Sequence, residues 1–92
     1  MASLTTKAVA AISMTYTLHR LAAGSYDLVV QGAIVGTVVR EVARNGEAKG
    51  WHAELLTAVP PLPAPFTNEA HRFDTLEATI AWLGGATIQN GG

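Results

Sequence analysis

The sequence predicts an α+β fold, an antiparallel meander of three to four strands with one C-terminal amphipathic helix packed on one face. Three observations predict it. Apolar and polar residues alternate from Tyr16 to Leu56, the period of strands with one buried face. Turn-forming clusters (Ala23-Gly24-Ser25, Gln31-Gly32 and Asn45-Gly46) divide that stretch into pieces of strand length. Near the end, Leu76, Ile80 and Leu83 fall at helical spacing ahead of a Gly84-Gly85 stop.

The elements follow in order. Tyr16 and Leu18 share one face of a first strand, with Thr15, Thr17 and His19 opposite. A second strand points Tyr26, Leu28 and Val30 one way and Asp27, Val29 and Gln31 the other. The third, Ile34 to Val42, is rich in β-branched residues, and Gly36 marks a bulge or a close backbone approach. Arg44 to Gly50 reads as a mobile loop, and Trp51, Ala53 and Leu55 alternate with His52, Glu54 and Leu56 in a fourth strand. The stretch Val59 to Phe66 holds all 4 prolines and reads as an extended crossover, with a polyproline ligand motif as the alternative. Residues 67–72 continue the loop or form a short edge strand around Ala70 to Phe73. Asp74 is the expected helix N-cap, with Glu77 completing a capping box and Thr75 the alternative cap.

These boundaries give a flexible N-terminal arm over 1–13, with an added strand or short helix as its alternative, a single domain over 14–85, and a flexible tail over 86–92, with a short edge strand as its alternative. Lys7 precedes only five apolar residues, Ala8 to Ile12, too few for the ~7–15 of a secretory signal core. No stretch approaches the roughly 20 residues of a membrane span, so a cytoplasmic protein with no membrane association is expected. Cysteine is absent, which excludes disulfides and thiolate metal sites. Charged residues make up only 14 % and the net charge is -1, so no global field steers the chain onto nucleic acid.

Two pieces of chain carry a family likeness. Gly50-Trp51-His52-Ala53, followed by Arg72-Phe73-Asp74-Thr75-Leu76-Glu77-Ala78 and Trp82-Leu83, resembles the three-strands-plus-helix DNA-binding modules of phage-type integrase N-termini and AP2-type domains. It is similar also to uncharacterised small proteins of actinobacteria and their phages that end in such a helix. The matching residues are packing residues, so the resemblance implies a fold more than a function. In those modules the sheet presents basic side chains to the major groove. Carried onto this chain, the readers would be Thr37, Arg40, His52 and Glu54, of which Glu54 repels phosphate. The Pro-rich crossover also departs from the pattern.

The candidate sites follow from chemistry. Arg40, Arg44, Lys49 and His52 are the candidate nucleic-acid contacts, diluted by Glu41 and Glu47. His19, His52 and His71 are spaced like no compact metal motif, no nucleophile elbow or phosphate loop occurs, and neither a cofactor nor an active site is expected. Without a bulge at Gly36, Val29, Val35, Val39 and Leu56 share the sheet face that one helix cannot cover. With Trp82 at the border of the helix stripe, they form the candidate protein interface. The expectation is a small protein-interaction module, a homodimer that regulates or inhibits a protein partner, of phage or mobile-element origin. Sheet-based DNA binding is the alternative.

Overall fold

The computed structural model describes residues 15–90, and among these are one helix and one six-stranded sheet, an α+β arrangement. The strands are β1 (Tyr16–Ala22), β2 (Ser25–Val30), β3 (Ala33–Val42), β4 (Ala48–Leu55), β5 (Ala70–Phe73) and β6 (Thr87–Gln89). The helix, α1, is Leu76–Trp82. The sheet order is β5-β4-β3-β2-β1-β6. Strands β1 to β4 form the expected meander, β5 adds antiparallel to β4, and β6 adds parallel to β1. The sheet is therefore larger than three to four strands, and it is mixed. The expected flexible arm over 1–13 lies outside the described residues.

The tail is not wholly loose, because Thr87, Ile88 and Gln89 pair with Thr17, Leu18 and His19. A helix stop makes that return possible. The backbone N–H of Gly84 donates to Ala81 and that of Gly85 to Ile80, with φ of 86° and 90° at the two glycines. This is a Schellman closure, and it turns the chain back toward the core, where Ala86 is buried. At the other end the cap is Thr75 and not Asp74: the Thr75 hydroxyl accepts from the Ala78 N–H at 3.0 Å while its backbone stays extended. Starting one residue later leaves a helix of only 7 residues. It turns Leu76, Ile80 and Leu83 onto the sheet, together with a fully buried Thr79 whose hydroxyl donates to the Thr75 carbonyl.

The hairpins are tighter than their composition suggests. Gln31 and Gly32 both have positive φ, 52° and 78°, which makes a two-residue turn of type I′ and pairs Val30 with Ala33. Between β3 and β4 the expected mobile loop from Arg44 to Gly50 shrinks to a short closed turn. There Gly46 N–H donates to the Ala43 carbonyl, Ala43 N–H to the Glu47 carbonyl, and Glu47 N–H to Asn45 Oδ1.

One face of the sheet carries the core: Tyr16 and Leu18 from β1, Tyr26, Leu28 and Val30 from β2, Val38 from β3, and Ala53 and Leu55 from β4. Helix α1 lies over the β4–β5 half of that face. The Pro-rich segment is more than a crossover, because Phe66 is buried in the same core and Leu62 packs against it. Phe66 sits 6.4 Å from the Tyr16 ring, and the Tyr16 hydroxyl donates to the Ala64 carbonyl at 2.7 Å. Helix and loop together therefore shield one face.

Candidate functional site

The face opposite the core is polar through its middle, where the cross-strand rows are His19, Asp27, Thr37 and Glu54, then Ser25, Val39, His52 and Arg72, and apolar toward one end, where Thr17, Val29 and Ile34 form a row. Val35, expected on this face with the other valines, is missing from it. The reason is a bulge. Leu28 pairs with Gly36 but Val29 pairs with Ile34, which leaves Val35 without a partner in the ladder. Val35 consequently packs against the core margin instead of joining Val29 and Val39. Of the expected interface, Val29 and Val39 do occupy the open face, Val29 buried and Val39 half-buried. Leu56 lies beyond the end of β4 and is 62 % exposed.

Gly36 holds the bulge in place. A side chain there would put its Cβ 2.2 Å from the Glu54 carbonyl oxygen, so only glycine lets β3 and β4 approach this closely. Beyond it the Leu56 N–H donates to the Val35 carbonyl at 2.9 Å, and the Leu55 N–H donates to Glu69. These bonds hold two adjacent apolar pairs, Ile34-Val35 and Leu55-Leu56, side by side at one end of the sheet. Between them lies an apolar hollow of about 250 Å³ lined by Ile34, Val35, Leu55, Leu56, Thr57 and Pro63. Ile34 is 54 % exposed, and Val59, in the loop leaving β4, is 67 % exposed. Among the described residues no ionisable group lines the hollow, so these residues can desolvate an apolar group but offer no acid, base or nucleophile beyond the Thr57 hydroxyl.

Trp82 does not line this hollow. Its ring packs within the chain, 4.9 Å from Phe66, 4.7 Å from His71 and 4.9 Å from Phe73 between ring centres. His71 Nε2 accepts the backbone N–H groups of Thr67 and Asn68 at 3.1 and 3.2 Å. The residues that carry the family likeness thus converge on packing: Trp51 pairs with Phe73, and Phe73 meets Trp82.

The basic residues are not brought into one patch. Arg40 pairs with Trp51 and His52 with Val39, so Arg40 and His52 point to opposite faces. Arg44 sits in the β3–β4 turn and Lys49 at the irregular start of β4. His52 is moreover held among carboxylates: its Nδ1 is 3.2 Å from Glu41 Oε2 and its Nε2 is 3.7 Å from Glu54 Oε1. His52 Nδ1 is buried and makes no hydrogen bond, so its contact with Glu41 is one of proximity. Arg72 donates to the other Glu41 oxygen. This string lies on a flat sheet surface, and among the described residues no group of three or more His, Asp and Glu side chains is arranged to hold a metal ion.

Burial pushes the Tyr16 hydroxyl above the usual tyrosine range, which keeps it a donor to Ala64. Among the described residues no helix is long and apolar enough to cross a membrane. No protein-family model, curated protein or solved structure matches the chain.

Proposed function

We propose that the protein is a small interaction module that binds another protein through the apolar end of its sheet, with a second copy of itself the first partner to test. The observation that supports this reading is the hollow between Ile34-Val35 and Leu55-Leu56, with exposed aliphatic side chains at its rim. Apolar surface of this kind, gathered at one place and lacking reactive groups, gains free energy when a partner removes it from water. Regulation or inhibition of the bound protein is the role expected of so small a module. The polar face, with His52 and Arg72 engaged by Glu41, supports neither a phosphate contact nor a sheet-to-sheet dimer.

Sedimentation velocity across micromolar concentrations tests the reading. The expected result is a reversible dimer that Leu56→Asp weakens at least tenfold and Val42→Asp leaves intact, Val42 being an exposed aliphatic residue outside the hollow. A monomer at every concentration, or a dimer indifferent to Leu56→Asp, would overturn it.

A further inference from the structure

The turn between β3 and β4 holds a reactive pair of residues that the docking surface does not use. We propose that Asn45 cyclises onto the Gly46 nitrogen in this turn and converts to aspartate and isoaspartate, which makes the turn a self-modifying site. The turn joins the ends of β3 and β4 remote from Ile34-Val35 and Leu55-Leu56, so the inference is independent of the docking reading. Two observations support it.

The first is position. The Glu47 N–H donates to Asn45 Oδ1 at 3.0 Å, and the ring that this bond closes contains both the Asn45 Cγ and the Gly46 nitrogen. Side-chain carbon and backbone nitrogen are thereby kept near one another, as closure of a five-membered ring needs. The same N–H is bonded to the oxygen on which negative charge gathers when Cγ is attacked, so it stabilises that step as an oxyanion donor does.

The second is access. Asn45, Gly46 and Glu47 are all exposed, and a Cβ at Gly46 would meet nothing within 4 Å. With no side chain at this position, nothing crowds the attacking nitrogen, and water reaches the turn freely. The Gly46 N–H donates to the Ala43 carbonyl at 2.9 Å and must let go before the nitrogen can attack. In an exposed turn water takes over that bond at small cost.

The reaction balances with water alone. Hydroxide takes the Gly46 amide proton and the nitrogen bonds to Asn45 Cγ. The Cγ–Nδ2 bond breaks as Nδ2 takes a proton from water and leaves as ammonia. Water then opens the cyclic imide at one of its two carbonyls. Opening at Cγ leaves an aspartate side chain, whereas opening at the α-carbonyl leaves isoaspartate, with one more carbon in the main chain. Either product sets a carboxylate between Arg44 and Glu47 and adds one negative charge to a formal net charge of -1.

Peptide mapping by mass spectrometry tests this on the full chain held at pH 6 and at pH 9. The expected result is the mass gain of an amide exchanged for an acid at Asn45, with isoaspartate among the products. It should form faster at pH 9, because the nitrogen must first lose its proton. Mapping separates this position from Asn90, which also precedes a glycine. Gly46→Ala should slow the conversion about tenfold by crowding the nitrogen, and Glu47→Pro, which removes the donor to Oδ1, about threefold. Calorimetry on both variants keeps the comparison on folded protein, and the wild-type products and pH dependence need no variant. An unchanged Asn45, aspartate as the sole product, or an equal rate in Gly46→Ala overturns cyclisation. An equal rate in Glu47→Pro overturns the part assigned to the turn.

Discussion

Placing alanine at Gly36 should be the most damaging small substitution in the sheet. Its Cβ would lie 2.2 Å from the Glu54 oxygen, 3.1 Å from the Glu54 carbonyl carbon and 3.2 Å from the Leu55 Cα. All three are backbone atoms, so no side chain can rotate away, and β3 must part from β4 by about 1 Å at this point. Overpacking of this kind costs about 1–3 kcal/mol. Parting the strands also strains the bond from the Leu56 N–H to the Val35 carbonyl, and losing it adds about 1 kcal/mol. A total near 3 kcal/mol is a large share of the roughly 5–14 kcal/mol available to a chain of this length. With an unfolding entropy of about 2.1 cal/mol/K per residue, it lowers Tm by roughly 15 °C. The comparison is Gly32→Ala, where a Cβ meets nothing within 4 Å but φ is +78°. There the cost is conformational alone, about 1–2 kcal/mol, or roughly 5–10 °C. Calorimetry on the two variants decides the matter. If Gly36→Ala melts no lower than Gly32→Ala, the close approach of β3 and β4 is not what holds the bulge.

Tyr16→Phe should cost about 0.5–1 kcal/mol at neutral pH, since water can reach the carbonyl of exposed Ala64 in place of the hydroxyl. The folded Tyr16 pKa is raised, so the stability it contributes is intact below the unfolded value of ~10 and is lost as pH rises through the folded one. Denaturant titrations from pH 8 to 12 should therefore show a steeper alkaline loss in the wild type than in Tyr16→Phe, and parallel curves would refute the assignment. Thr75→Ala removes the acceptor for the Ala78 N–H and should destabilise by about 1 kcal/mol, whereas Asp74→Ala should cost less in the same urea titration. Gln31→Asn should stabilise by roughly 0.5 kcal/mol, or about 3 °C in Tm, because Asn tolerates the φ of 52° that Gln must adopt in the I′ turn.

What the sequence made legible was local. Period-two alternation and turn residues locate β1 to β4, and the Gly84-Gly85 stop is read from composition. The edge strands were harder, since β5 has 4 residues and β6 only 3, too few for a period to register. Parallel pairing of β6 with β1 joins segments about 70 positions apart, a contact that no local pattern encodes. Thr75 displaced Asp74 because the choice of cap depends on which residues then face the sheet. The hollow did leave a signal. Alternation fails at Ile34-Val35 and again at Leu55-Leu56, and a paired failure on neighbouring strands marks a sheet end where both side chains of each pair are used.

The bulge that separates the apolar end from the polar face follows from two constraints one residue apart. The I′ turn at Gln31-Gly32 fixes Val30 opposite Ala33, and continuing that ladder would set Leu28 opposite Val35. Every β3 side chain beyond would then reverse, sending Val38 to water and Thr37, Val39 and Glu41 into the core. Packing requires the opposite, with Val38 fully buried, and Gly36 is where β3 can lie against β4 in that register. The ladder must gain one residue between turn and glycine, and Val35 is that residue. Moving an apolar side chain out of alternation takes it off the open face and places it at the core margin beside Leu55 and Pro63. The same conflict of registers therefore leaves the middle of the open face polar and builds a wall of the hollow, which is why the surface best suited to a partner lies at the end of the sheet.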